Sequence, residues 1–250
     1  MAINLQKGQT IDLRKNDKGE SFDLSQVTIG LGWDVKQKES GFFGKLFGGA
    51  KEEEFDLDVI AFLLDSNGKV ANLGRDLVFS NGNKVGLHGG DVVFFNSMTY
   101  PSGSGTSSTL FPEGTPKYSM EQKIKQLLNN GELIVHTGDN LTGEGDGDDE
   151  QITVDLANIT NKVEKIVFVV NIYDCISRKQ DFGLIKNAYI RLVDESTGKE
   201  ICKYNLSDDY AGKTAMVFAE VYKKDGEWKF NAIGQGTNDS SVSELTRRYK

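Results

Sequence analysis

Cysteine and histidine are both scarce in this chain of 250 residues. The two cysteines are Cys175 and Cys202, and the two histidines are His88 and His136. A secreted disulfide framework uses more cysteines at closer spacing, so we expect two buried thiols. Two histidines are also too few for a histidine-rich metal site. We interpret His136 as a strand-end residue held by a hydrogen bond, and a supporting contact to a neighbouring metal site is the alternative.

Long apolar runs are absent as well. No stretch approaches about 18 consecutive apolar residues, and residues 1–15 contain no apolar run ahead of a small-residue cleavage site. These absences lead us to expect a cytoplasmic protein. The net charge of −8 disfavours nucleic acid as a partner, because nucleic-acid binding requires Lys and Arg to neutralise phosphates.

Known catalytic motifs are missing too. The sequence has no Gly-x-Ser-x-Gly elbow, no Walker loop and no His-Glu-x-x-His pair. The third glycine of Gly143-x-Gly-x-Gly147 comes one residue too early for a dinucleotide fingerprint. We therefore expect no enzymatic activity. Paired carboxylates can still act as general acid and base or hold Mg²⁺, so a metal-dependent binder or hydrolase of a phosphorylated small molecule stays the alternative.

Short segments of alternating or continuous apolar residues, separated by turn residues, run through most of the chain. They predict strands at 27–31, 55–64, 151–156, 165–173, 188–194, 215–222 and 228–233. Asp225-Gly226 is a hairpin signal. Helices are predicted from Ser119 to Gly131 and from Ser241 onward, where cap residues precede helical spacing. The expected fold is mainly β, a β-sandwich of two antiparallel sheets with one or two short helices and long insertions.

We expect a single domain over 1–250 with insertions at about 36–54 and 84–131. The first insertion combines charged residues with glycines and four large apolar residues, which favours a surface loop and leaves a partner or membrane contact as the alternative. The second contains all three prolines and a Gly/Ser run at 102–108, which is the composition of a mobile loop.

The segment 139–150, called the acidic segment below, carries six carboxylates and no Lys, Arg or His. They are Asp139, Glu144, Asp146, Asp148, Asp149 and Glu150. Carboxylates about 4 Å apart repel by roughly 4 kcal/mol at an effective dielectric constant of about 20, so gathering them requires a cation or protonation. Oxygen ligands without Cys or His favour Ca²⁺ or Mg²⁺, and a flexible glycine-rich loop favours Ca²⁺.

The acidic segment does not follow the EF-hand pattern. Asp139 and Glu150 match its first and twelfth positions, but Leu141, Gly143 and Glu144 occupy positions that the motif gives to Asp, Asn or Gly. Asp56 and Asp58 share one face at the start of a buried strand and could reach the same metal. A solvated acidic loop without metal is the alternative.

Several segments resemble the TerD family. They are 3–13, the Val-Thr-Ile-Gly-Leu-Gly-Trp-Asp run at 27–34, Phe-Asp-Leu-Asp at 55–58 with 61–65, the long motif at 135–150, and 182–236. The resemblance implies a β-sandwich that binds about two Ca²⁺ ions at one end, with a link to tellurite resistance and general stress and without an established catalytic activity.

The same resemblance implies a set of metal ligands in this chain. They are Asp56, Asp58, Asp139, Asn140, Asp146, Asp148, Asp149 and Glu150, with Asp34, Asp65 and Glu144 as further candidates. We expect a non-enzymatic calcium-binding stress-response protein that acts as a scaffold or sensor in a multiprotein complex. Its expected partners are calcium ions and other stress-resistance proteins, including at the inner face of the membrane.

Overall fold

Two large β-sheets and a small hairpin make up the fold. The computed structural model describes residues 3–4, 9–12, 24–35, 55–112, 114–138, 147–205 and 210–250. Sheet A contains, in spatial order, Ile3–Asn4 (β1), Lys199–Asn205 (β13), Ile185–Asp194 (β12), Gln26–Val35 (β3), Glu150–Asp155 (β10), Ile134–His136 (β9) and Thr99–Tyr100 (β8). All its described pairings are antiparallel except that of β1 with β13.

Sheet B is antiparallel in the described residues. It contains Thr10–Asp12 (β2), Glu227–Thr237 (β15), Ala215–Lys224 (β14), Lys165–Ile172 (β11), Leu57–Leu64 (β4) and Val92–Val93 (β7). Arg75–Val78 (β5) and Lys84–His88 (β6) form the separate hairpin. The helices are Ser107–Leu110 (α1), Lys117–Asn129 (α2), Cys175–Arg178 (α3) and Val242–Thr246 (α4), with 3₁₀ turns at Phe182–Leu184 and Arg247–Tyr249. The predicted mainly-β sandwich is confirmed.

The alternation of side chains along β4 shows where the core lies. Its odd-numbered residues join Val27, Ile29 and Leu31 of β3 in the cluster between the sheets. Its even-numbered residues from Ile60 onward face the other side of sheet B, and that side is also buried. Val70, Val92, Phe94 and Leu245 cover it. The segment 59–64 is therefore apolar at both odd- and even-numbered positions, because both faces of this part of sheet B are buried.

Local sequence signals predicted most elements correctly. Each predicted strand is present, with ends shifted by a few residues. Asp225 and Gly226 have positive φ angles of 54° and 79°, as a type I′ hairpin turn requires. The Ser241 side chain caps α4 by accepting a hydrogen bond from the Glu244 N–H. The expected cap at Ser119 is wrong, because α2 begins at Lys117 after Pro116. Both cysteines are free and buried, as expected.

The predicted insertion at 84–131 contributes to both large sheets. β7 is an edge strand of sheet B and β8 an edge strand of sheet A. The Gly/Ser run expected to be mobile is tied down, because both the backbone N–H and the hydroxyl of Ser102 bond to Glu132. A Cβ at Gly103 would lie 2.0 Å from the Gly89 Cα, so two backbone segments touch there. The other predicted insertion, 36–54, lies outside the described residues. No described helix has the length and apolarity needed to cross a membrane.

Two side chains of sheet A hold the free edge of β4. β7 pairs with β4 only at Ala61 and Phe62, so the backbone of Val59 lies beyond that pairing. The Val59 N–H donates to Glu150 Oε2 at 2.8 Å, and the Val59 carbonyl accepts from His136 Nε2 at 3.0 Å. These side chains take the place of a neighbouring strand at this point.

The protonation state of His136 follows from its partners. The Gly138 N–H donates to Nδ1 at 3.0 Å, which leaves the proton on Nε2, where it points to the Val59 carbonyl. The imidazole is fully buried, and burial lowers the pKa of His136 to about 4. His136 is therefore neutral near pH 7, although Glu150 Oε2 lies 3.6 Å from Nε2. The expected strand-end hydrogen bond is present.

We predict that His136 makes the protein less stable as pH falls. Its folded pKa of about 4 lies below the usual value of about 6.5, so the unfolded chain takes up the proton first. Stability is lost between about pH 6.5 and pH 4, by up to roughly 3 kcal/mol. Urea unfolding in EDTA at pH 7 and pH 4.5 measures this loss, and His136→Gln should reduce it. Val135→Ala is the control that lowers stability equally at both pH values, and an unchanged pH dependence in His136→Gln would contradict the prediction.

Candidate functional site

The two ends of the acidic segment are joined at its base. The Thr137 N–H donates to the Gln151 carbonyl at 2.9 Å, and the Gln151 N–H donates to Thr137 Oγ1 at 2.9 Å. Thr137 and Gln151, which flank the acidic segment, therefore lie side by side. Residues 139–146 lie outside the described residues, and with them the predicted ligands Asp139, Asn140, Glu144 and Asp146.

Asp148 is bound by a set of donors on the outer face of sheet A. Arg191 contacts both carboxylate oxygens, through Nε at 2.7 Å and Nη2 at 2.9 Å. Gln151 Nε2 donates at 2.9 Å and the Tyr189 hydroxyl at 3.1 Å. The Asp148 side chain has no exposed surface. Both of its oxygens are occupied by protein donors, so Asp148 anchors the returning end of the acidic segment.

Glycines on β3 make room for this anchor. A Cβ at Gly30 would lie 2.1 Å from Asp148 Oδ2, and a Cβ at Gly32 would lie 2.5 Å from the Tyr189 ring. The hydrogen bond to Asp148 is the main reason that the pKa of Arg191 is raised. Burial, followed by the Asp148 charge, raises the pKa of Tyr189. Gly30 and Gly32 thus leave the space that the Asp148 carboxylate and the Tyr189 ring occupy above β3.

The next two acids point elsewhere. Asp149 Oδ2 accepts from the Trp33 N–H at 2.9 Å, and the Asp149 N–H donates to the Leu31 carbonyl at 2.8 Å. Glu150 faces the space between the sheets and binds Val59, as described above. Three consecutive acids therefore have three different environments.

Asp56 and Asp58 lie at the N-terminal end of β4 and are 5% and 2% exposed. The Tyr173 N–H donates to the Asp56 carbonyl at 2.9 Å, which extends the β4–β11 ladder beyond the strand. Arg178 Nη2 lies 3.9 Å from Asp56 Oδ2. Asp58 directly precedes Val59, which holds Glu150. The structure thus brings Asp56, Asp58 and Glu150 to the same end of β4.

Two further candidates are placed differently. Asp65 lies at the opposite end of β4, roughly 23 Å from Asp58 along an extended strand. Its Oδ1 accepts from the N–H groups of Asn67 at 2.8 Å and Lys69 at 3.0 Å, and the bond from Lys69 is the main reason that its pKa is lowered. Asp65 is a turn residue remote from the other candidates. Asp34 belongs to β3, where its backbone pairs with Lys186 of β12. The Asp34 side chain lies outside the described part of the structure.

The partners of these acids, Tyr189, Arg191 and Arg178, were not among the predicted site residues. Tyr189 and Arg191 alternate on one face of β12, and this spacing was the available signal that both side chains leave the core. Arg178 gave no comparable signal. In the described part of the chain, no three His, Cys, Asp or Glu side chains converge as a metal cluster. Asp56, Asp58, Asp149 and Glu150 each carry carboxylate oxygens near this end of β4, but the described residues do not bring three of them together.

We predict that Arg191→Met lowers the free energy of unfolding by about 2–3 kcal/mol, because it leaves the buried Asp148 carboxylate without its countercharge. Arg191→Lys should restore part of this loss, since an ammonium keeps the charge without the two-pronged contact. The matched control is Arg248→Met, which breaks the more exposed pair with Asp239 and should cost less than about 1 kcal/mol. Equal losses for the two Met variants in urea unfolding would show that Asp148 does not depend on Arg191.

Comparison with known proteins gives a consistent result. The sequence model of the TerD domain matches residues 1–122 and 124–249. Stress response protein SCP2 of Bacillus subtilis (strain 168) is 41% identical over 249 residues, covering 100% of both chains. Tellurium resistance protein TerX of Serratia marcescens is 43% identical over 252 residues, also covering 100% of both.

A more distant relative and a solved structure extend the comparison. Tellurium resistance protein TerD of Serratia marcescens is 35% identical over 236 residues, covering 94% of this chain and 91% of that protein. The crystal structure of a homologue of telluride resistance protein (TerD) from Streptomyces coelicolor A3(2) aligns with a TM-score of 0.51 at 16% identity. It covers 90% of this chain and 98% of that one, and this likeness concerns the fold alone. The resemblance found in the sequence is confirmed: the chain belongs to the TerD domain family, together with proteins named for tellurium resistance and stress response.

Proposed function

We propose that this protein is a calcium-binding member of the TerD family that acts in the stress response without catalysing a reaction. The observation that carries the proposal is the burial of Asp56, Asp58 and Glu150 at one end of β4, beside the base of the acidic segment. The family names of its relatives, which refer to tellurium resistance and stress response, support the biological role.

The charge balance at this end of the sandwich favours a cation. Asp56, Asp58 and Glu150 are each at most 5% exposed. Arg178 Nη2 lies 3.9 Å from Asp56 Oδ2, and His136 beside Glu150 is neutral. Buried carboxylates cost several kcal/mol each unless charge and hydrogen bonds compensate them. A divalent cation would place positive charge beside these three buried carboxylates.

The ligand chemistry favours calcium. The candidate donors are carboxylate and amide oxygens, without thiolate or imidazole groups, which suits a hard cation. The glycines at 143, 145 and 147 suit a backbone that wraps around an ion and offers carbonyl oxygens. About two ions fit the number of acids, with Asp148 serving as the anchor of the acidic segment.

Calcium binding of this kind suits a sensor or scaffold. Each bound ion changes the local charge by +2 at one end of the sandwich, and such a change can alter the contact with another protein. We propose other stress-resistance proteins, in the cytoplasm or at the inner face of the membrane, as these partners. Catalysis is not part of the proposal, and no turnover of p-nitrophenyl phosphate is expected with CaCl₂ or MgCl₂.

We predict that EDTA lowers the melting temperature and that about 1 mM CaCl₂ restores it. An ion at about 100 times its dissociation constant stabilises the folded state by roughly 2.7 kcal/mol per site. Calorimetric titration should give about two sites, and MgCl₂ at the same concentration should stabilise less. The absence of both calcium heat and a thermal shift would refute calcium binding.

We predict that Asp56→Asn and Asp149→Asn each weaken calcium binding about tenfold or more, which corresponds to about 1.4 kcal/mol. Each change removes one negative charge and keeps the size of the side chain. Asp65→Asn is the matched control, because Asp65 lies at the far end of the same strand and should leave the affinity unchanged. If Asp65→Asn weakened binding as much as the other two, the calcium site would be misplaced.

A further inference from the structure

Asn171 is a buried amide that interrupts the apolar sequence of β11. It is 2% exposed, and its side-chain oxygen Oδ1 has no hydrogen-bond partner among the described residues. Buried polar atoms in native proteins nearly always have a partner. An apolar residue of the same size would avoid the free-energy cost of burying this oxygen, so its position calls for a function.

The register of sheet B places Asn171 beside the acids of β4. Asn171 is directly opposite Asp58, and cross-strand partners point to the same face with Cβ atoms about 4.5–5.5 Å apart. The Tyr173–Asp56 backbone bond continues the same ladder, so Asp56 is also on this face. On its other side Asn171 is opposite Ala215, whose side chain has no polar group.

Asn171, Asp56 and Asp58 lie on a different face of the sandwich from Asp148. The same face of β11 carries Val167 and Val169, which belong to the apolar cluster on the outer side of sheet B. Asp148 lies on the outer face of sheet A, on the opposite side of the sandwich. Face-to-face sheets are about 10 Å apart, so one ion cannot contact both Asp58 and Asp148.

We propose that Asn171 Oδ1 is a ligand of a calcium ion held by Asp56 and Asp58. This inference rests on the proposed function and adds a residue and a location to it. Two carboxylates and one amide oxygen form an all-oxygen set of the kind that Ca²⁺ takes. The amide adds an oxygen ligand without adding negative charge. Asn171 is thus a binding residue that the acidic pattern of the sequence did not reveal.

Two substitutions at Asn171 test this assignment by calcium titration and by melting in EGTA and in CaCl₂. Asn171→Leu should weaken one site about tenfold or more, while the melting temperature in EGTA stays equal or rises. Asn171→Asp adds a third carboxylate, so it should lower the melting temperature in EGTA and give a larger calcium-dependent rise than the wild type. Val169→Ala, on the same strand and face, is the control that lowers stability without changing calcium affinity.

The possible outcomes separate the two proposals. Absence of calcium binding by the wild type would overturn the proposed function. Calcium binding by the wild type together with unchanged affinity in Asn171→Leu, and equal loss of stability in EGTA and CaCl₂, would overturn only the role of Asn171 and make it a structural amide. If Asn171→Leu does not fold, Asn171→Asp decides, because a calcium-dependent rise no larger than that of the wild type contradicts the proposal.

Discussion

The backbone of Val59 is the point on which the candidate site depends. Its N–H and carbonyl lie on the edge of β4, and two side chains from the opposite sheet, Glu150 and His136, bind them. This contact joins Glu150, the last residue of the acidic segment, to β4 next to Asp58. The packing of the two sheets thus sets the distance between Glu150 on sheet A and Asp58 on sheet B. The base of the proposed metal site is therefore set by the fold and not by the ion.

The acids at this end of the fold divide into anchors and candidate ligands. Asp148 is saturated by Arg191, Tyr189 and Gln151, which removes its charge from the balance of the site. Asp58 is buried on the outer face of sheet B, on the other side of the sandwich from Asp148. Carboxylates of the same type, close in sequence or in space, thus have different electrostatic roles, because their roles depend on which face of a sheet they occupy.

Local patterns predicted the strands, the Asp225-Gly226 hairpin and the helix after Ser241, because each depends on nearby residues. The roles of the neighbouring acids could not be predicted in the same way. Asp148 differs from Asp149 by its contact with Arg191, which is remote in sequence. The Gly-Leu-Gly run at 30–32 has the composition of a turn, yet it lies within strand β3, and Gly30 leaves space for the Asp148 carboxylate. The ligands expected within 139–146 stay predictions.

The cover over the β4 edge also affects how the protein behaves among other molecules. An uncovered strand edge offers free N–H and carbonyl groups that a strand from another chain can pair with, and this is a common start of aggregation. β7 shields β4 at Ala61 and Phe62, and the Glu150 and His136 side chains shield it at Val59. Because side chains replace a strand there, the fully buried strand β4 is protected from self-association by the same residues that support the acidic end.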